Sequence, residues 1–209
     1  MNILCLNTAF LQADLAVKLD EFENYKKFDS TCKHSEHVML GIDEMLNGTK
    51  VKNLDYMAVC IGTGSFTGIR IGISIAEGFK TANKNLKLIP INSFELVKSN
   101  MQKINNDEFA IVLNALGGRY FVQYYKNKVE TCQPLLLQKE QIKNVHKIGL
   151  VEEKLEFCDE FVTLSPQNLL SLALKKVEKN QVVENLEPLY IRQSQAEENL
   201  NKKENNENN

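Results

Sequence analysis

One stretch constrains the fold more than any other. The apolar run Tyr56 to Ile61 leads into Gly62-Thr63-Gly64-Ser65-Phe66-Thr67-Gly68-Ile69-Arg70-Ile71-Gly72 and then into a long helical pattern. A continuous apolar run that ends at glycine reads as a strand buried on both faces, the kind found in sheets covered by helices. The glycines free the turn to adopt positive φ, the hydroxyls of Ser65 and Thr67 can cap, and the free N–H groups of the following helix can face an anion. A tight strand-to-helix turn is the plainer reading of the same residues, and both stand. From about Thr67 to Lys84, Ile69, Ile71, Ile73, Ile75, Ala76 and Phe79 cover most of the helix, leaving Arg70, Ser74, Glu77 and Thr81 as one polar stripe. Such a helix must be buried on several sides. Gly72 and Gly78 each weaken it by ~1 kcal/mol relative to alanine, which implies close packing on its backbone, a partner helix being one candidate.

Known phosphate and nucleophile motifs do not fit this turn. A Walker A loop needs Lys-Ser/Thr after its last glycine, where Ile69-Arg70 stands; a Rossmann fingerprint needs glycine at Thr67; a hydrolase elbow needs a residue between Gly64 and Ser65. No His or Lys is placed by sequence to activate Ser65 or Thr67 as a nucleophile, so capping explains them better. His34 and His37 lie three apart, but His146 is far along the chain and a metal site wants three or four ligands. Helix capping and packing account for the two histidines, and no metal is expected. Glu36 near a helix start is favoured by the helix dipole.

The rest of the chain alternates in kind. Asn2 to Ala9, Ala13 to Leu19 and Phe22 to Phe28 read as three strands of a meander. His34 to Leu46 reads as an amphipathic helix, with Val38, Met39, Ile42, Met45 and Leu46 on one arc and Leu40 outside it as an exposed contact. Leu86 to Ile91 is a strand, and Ser93 starts a third helix. In the second half Phe109 to Ala115 and Tyr120 to Lys126 are strands about the Gly117-Gly118 turn, Leu135 to Leu137 is a third, Lys139 to Asn144 is helical, and Lys147 to Val151 is a strand. Ser165 caps a last helix with Pro166 at its first position, running to Lys179. The halves share element order without sequence repetition. This gives an α/β class with mixed sheets and flanking helices, a first lobe over residues 1–101, a smaller second lobe over 102–192, and a disordered polar tail over 193–209.

Charge and composition narrow the function. With 43% hydrophobic and 25% charged residues, disorder and disulfide-stapled miniproteins are excluded. The formal charge of −2 is carried by the tail, where Glu197, Glu198, Glu204 and Glu207 outnumber Lys202 and Lys203, so the body is neutral. A neutral body lacks the field needed to grip a nucleic-acid backbone alone, and any RNA role needs a partner. The 5 cysteines are scattered and odd in number, and no secretory leader or long apolar span appears. A reducing, cytoplasmic setting is expected, with no membrane partner.

The glycine segment closely resembles the GxGSFTGxRxG signature of the bacterial tRNA threonylcarbamoyladenosine biosynthesis family TsaB, also called YeaZ. Ile3-Leu4-Cys5-Leu6-Asn7-Thr8-Ala9 is similar to its first strand and His34-Ser35-Glu36 to the start of its first helix. Ile89-Pro90-Ile91-Asn92-Ser93 resembles the junction after the signature, Asn114-Ala115 the Asp-Ala of the second lobe, and Pro188-Leu189-Tyr190-Ile191-Arg192 the C-terminal Pro-x-Tyr-x-Arg. Four positions depart: Thr63 replaces a proline, Asn7 an aspartate, and in Asn114-Ala115-Leu116 both ends of an Asp-Ala-Arg are changed, so an acid and a base are missing. An amide cannot supply the charge with which an acid organises magnesium–nucleotide in actin-like phosphotransferases, so autonomous ATP turnover is not expected.

The resemblance implies a two-lobed actin-like, RNase H-like (ASKHA) fold and a non-catalytic role. It implies dimerisation with the transferase TsaD, which threonylcarbamoylates the anticodon-adjacent adenosine of tRNAs reading ANN codons, with the ATPase TsaE at the junction. tRNA is then met only through the complex, no cofactor is intrinsic, and any ATP or ADP sits at the junction. The implied partner interface is His34, Glu36, Leu40, Arg70, Gly72, Ser74, Glu77 and Gly78; the implied anion or nucleotide contacts are Gly62, Gly64, Ser65, Phe66, Thr67, Gly68 and Arg70. On this reading Gly72→Leu breaks the complex and spares the fold. Two other classes use the same residues, a small-molecule actin-like phosphotransferase and a stand-alone homodimeric binding module.

Overall fold

A computed structural model describes residues 1–28, 34–101 and 106–191, apart from the side chains of residues 34 and 35. The proposed tail, Arg192 and the side chains of His34 and Ser35 lie outside the described residues. The chain opens with β1 (Asn2–Asn7), β2 (Ala13–Leu19) and β3 (Phe22–Phe28), then α1 (His34–Leu46), β4 (Tyr56–Gly62), α2 (Phe66–Ala82), β5 (Lys87–Asn92) and α3 (Ser93–Ser99). The second half adds β6 (Glu108–Asn114), β7 (Arg119–Lys126), β8 (Val129–Glu130), β9 (Leu135–Gln138), β10 (His146–Leu150), β11 (Glu160–Val162) and α4 (Pro166–Glu178). Among the described residues no helix is long and apolar enough to cross a membrane.

The first sheet has strand order β3-β2-β1-β4-β5. β1 runs antiparallel to β2 and parallel to β4, which brings Leu6 beside both Leu15 and Val59. α1 and α2 cover that face: a Cβ at Gly41 would meet Phe28 and Leu15, and one at Gly72 would meet Thr8 and Val59. Ile3 to Leu6 are wholly buried because the opposite face is covered too, by α3 and α4. The second sheet has order β11-β10-β6-β7-β8, with β9 also on β7, and it is mixed like the first. Its Phe109, Ile111 and Leu113 join the main core, while Ala110, Val112 and Tyr124 form a smaller cluster on the far side.

α4 corrects the expected lobe boundaries. It lies late in the chain, inside the stretch read as the second lobe, yet its buried Leu169, Leu170 and Ala173 pack on β1, β2, β3 and β5 of the first sheet. The chain then returns along the first sheet, where Val183 N–H donates to Leu88 O at 2.9 Å and Leu189 N–H to Ile61 O at 2.8 Å. The C-terminal helix and strap therefore pack with the first sheet.

Smaller differences have local causes. The helix read at Lys139 to Asn144 is one 3₁₀ turn, Lys139–Gln141, with Gln138 N–H donating to Gln141 Oε1 at 2.8 Å before Ile142 turns extended. β8 and β11, too short to show a pattern, were not expected. Met39, read as part of the buried arc of α1, is 46% exposed because it sits at the arc's edge, while Leu40 is 69% exposed as expected.

Candidate functional site

The glycine turn is built by contact with the end of β1. Gly62 has φ +113° and Gly64 φ +152°, conformations that side chains rarely adopt. A Cβ on Gly64 would stand 2.3 Å from Ala9 O, and one on Gly68 would stand 1.9 Å from Thr8 O. Ser65 N–H donates to Ala9 O at 2.8 Å. Thr8 Oγ1 donates to Gly68 O at 2.7 Å. Ser65, not Thr67, caps α2, its Oγ accepting from Gly68 N–H at 3.2 Å.

This packing corrects part of the expected ligand contact. Gly62 is buried beneath Leu189 and Ile69, and Gly68 is buried against Thr8, so neither backbone meets solvent. Ser65, Phe66, Thr67 and Arg70 are exposed, and Gly64 is half-buried. It also corrects the interface assignment of Gly72. Gly72 is buried, and its missing side chain makes room for Thr8 Oγ1 at 2.8 Å and Val59 Cγ1 at 3.1 Å of its own sheet. Gly78 is exposed, and a Cβ there would meet nothing within 4 Å.

The remaining stripe forms one outward face. Arg70, Ser74, Glu77 and Thr81 are exposed, Ile71 and Ile75 are half-buried, and Met39 of α1 joins them. Between the two helices runs a groove of about 510 Å³ lined by Met39, Phe66, Thr67, Arg70, Ile71, Ser74 and Ile75. Glu36 is exposed in the first turn of α1. Arg70 and Glu77 form no ion pair with each other; Arg70 instead lies over the Phe66 ring, 3.8 Å from its centre. Among the described residues no cluster of three or more His, Cys, Asp or Glu is placed to hold a metal, and His37 is exposed.

The seam between the two sheets brings Asn7 and Asn114, singled out in sequence, beside two acids that sequence reading missed, Asp14 and Glu153. Asn7 Oδ1 accepts from Ala9 N–H at 3.1 Å. Asn114 Oδ1 accepts from Leu116 N–H at 2.8 Å. Both amides thus turn the chain at the end of the strand that opens each lobe, β1 in one and β6 in the other, and the shared device supports the reading that the lobes are related. Asn7 Nδ2 also donates to Asp14 Oδ2 at 3.0 Å. Asp14 is 1% exposed, its Oδ1 has no hydrogen bond among the described residues, and Lys27 Nζ lies 3.9 Å away. Burial pushes the Asp14 carboxyl up to about 6, against the pull of Asn7 and Lys27 and with a further push from Glu152. Glu153 accepts from Asn114 N–H at 2.9 Å, and burial lifts its carboxyl to about 7. Asp14 gave no signal in sequence beyond being an acid flanked by apolar strand residues.

The fold, two mixed sheets with flanking helices, is the one seen in solved structures of YeaZ type. The YeaZ structure from Pseudomonas aeruginosa superposes with a TM-score of 0.72 at 17% identity, covering 90% of this chain and 99% of that one. A Pseudomonas aeruginosa protein described as similar to peptidase YEAZ reaches a TM-score of 0.75 at 18% identity, over 91% of this chain and 99% of its own. The TsaD family, described as tRNA N6-adenosine threonylcarbamoyltransferase, matches residues 29–148. The chain belongs to that family, and its curated relatives carry the TsaB name. The tRNA threonylcarbamoyladenosine biosynthesis protein TsaB of Buchnera aphidicola (subsp. Schizaphis graminum) is 28% identical over 74% of this chain and 72% of its own. Its Escherichia coli K12 counterpart is 25% identical over 61% of this chain and 57% of its own.

Proposed function

We propose that this chain is a non-catalytic subunit in tRNA threonylcarbamoyladenosine biosynthesis, pairing with the transferase TsaD through the outward face of α1 and α2. The observation that carries the reading is that face: Met39 and Leu40 are 46% and 69% exposed on a helix whose other side is core, beside a groove of about 510 Å³ on α2. Large apolar side chains exposed together mark an interaction surface. Exposed Gly78 lets a second helix approach, and Ser74 and Glu77 supply polar contacts at its rim.

The seam supports a subunit without its own turnover. Asn7 and Asn114 engage their amide oxygens in backbone turns, and of the acids nearby Asp14 is buried and Glu153 half-buried. A magnesium–nucleotide wants ionised, accessible carboxylates. In this reading TsaE, and any ATP or ADP, belong to the junction of the two subunits, and tRNA is bound by the assembled complex.

The test is calorimetry of the full chain with TsaD from the same organism, followed by tRNA modification with the chain present or omitted. Tight one-to-one binding and modification that depends on the chain are the expected results. Modification unaffected by its omission, or magnesium-dependent ATP hydrolysis by the isolated chain, would overturn the reading.

A further inference from the structure

Arg70 is held by two aromatic rings rather than by a carboxylate. Its guanidinium lies over Phe66 at 3.8 Å, and its Nε donates to the Tyr190 hydroxyl at 3.2 Å. Phe66 and Tyr190 stack with ring centres 5.1 Å apart and 27° between planes. Tyr190 reaches this place because the chain's return is pinned at Leu189, whose N–H donates to Ile61 O and whose own carbonyl lies against Gly62. The last described residues therefore brace the first turn of α2.

The trio leaves a fork unused. A guanidinium carries five N–H donors in one plane. Among the described residues only the Nε donor is engaged, and neither Arg70 nor Glu77 has an ion-pair partner there. Arg70 is also the sole cation among the described residues lining the groove, whose other walls include Met39, Ile71 and Ile75. One fixed cation in an otherwise largely apolar groove suits a protein helix with a single acid; a nucleic-acid backbone needs many cations along its track.

Resting on the pairing with TsaD, we propose that the strap Pro188 to Ile191 presents Arg70 to the partner, and that Arg70 takes a carboxylate from an amphipathic helix of TsaD seated in the groove. Tyr190 is a positioning residue: it fixes the plane of the fork before binding, so less side-chain freedom is lost when a two-pronged contact forms.

The experiment is calorimetry of the full-length chain and four variants with TsaD, with thermal unfolding as the check on folding. Arg70→Ala raises Kd roughly 10- to 100-fold, and Arg70→Lys recovers little of it, because an ammonium lacks the fork. Tyr190→Phe keeps the ring and drops the hydroxyl, raising Kd about 3- to 10-fold. In the Arg70→Ala background Tyr190→Phe adds nothing further, since the tyrosine acts through the arginine. The proposal is overturned by native-like affinity in Arg70→Ala or Arg70→Lys. It is equally overturned by a Tyr190→Phe effect that persists undiminished in the double variant, which would mark a merely structural role. Failure of the native chain to bind TsaD would instead remove the pairing itself.

Discussion

The two faces of α2 use the same residue types for opposite ends. On the inner face Gly72 lies against Thr8 and Val59, with Gly68 pressed on the Thr8 carbonyl. On the outer face Gly78 has open space around it, amid exposed Ser74, Glu77 and Thr81. The inner glycines let helix and sheet close to backbone contact, and the outer one keeps a surface flat. A small residue in a helix is therefore no statement about partners until its side is known. The difference also separates two kinds of failure: damage on the inner face removes the fold, and damage on the outer face removes what the fold presents.

The largest expected effect breaks the inner face. Gly72→Leu must place its side chain where Thr8 Oγ1 and Val59 Cγ1 already lie 2.8 and 3.1 Å from the first added carbon. Overpacking between a helix and the two central strands costs more than ~3 kcal/mol. The isolated variant shows a Tm lower by ~10 °C or more, or no cooperative transition, in a calorimetric scan. A variant with native Tm that fails only to bind TsaD would place Gly72 on the outer face after all.

A smaller effect sits at the seam and depends on pH. The Asp14 carboxyl titrates at about 6 in the folded chain against an ordinary 3.8. A raised folded value means that the neutral form is the stable one. The contribution is complete below about pH 4 and is lost as pH rises through 6. Asp14→Asn keeps a neutral group that can still accept from Asn7 Nδ2. It therefore matches the native chain near pH 4 and exceeds it by about 3 kcal/mol at pH 8 in denaturant unfolding. Glu153→Gln follows the same sign with its midpoint near 7. A gain at pH 8 equal to that at pH 4 would show that the burial of these acids is not what sets their titration.

Much of this was readable along the chain, and what escaped has a common cause. Tyr56 to Ile61 announced a buried strand by its unbroken apolar run, and Ser165-Pro166 announced the start of α4 by its cap chemistry. Neither signal says where an element goes: the stripe of Leu169, Leu170 and Ala173 fits either sheet, and only the structure assigns it to the first. Gly72 showed that something comes close without showing from which side. Tyr190 lies 120 residues from Arg70, and no local pattern joins them. Asp14 looked like a polar position on an alternating strand, yet it is covered at the seam. Periodicity reports local geometry, whereas the site depends on what the chain brings together at long range.

The smallest effect sharpens the outer face, and it has opposite signs in two measurements. Gly78 is exposed within the helix with no neighbour to collide with a methyl group. Gly78→Ala reduces the freedom of the unfolded chain and favours the helix, adding about 0.5–1 kcal/mol to the isolated protein, or about 1–4 °C in Tm. Gly78→Leu keeps most of that gain, since leucine is nearly as good a helix former as alanine, but it raises a ridge on the face proposed to receive the partner helix. Its Kd for TsaD rises while its Tm does not fall, the reverse of Gly72→Leu. Native affinity in Gly78→Leu would move the docked helix off this end of the stripe and toward Met39 and Phe66, leaving the contact centred on Arg70.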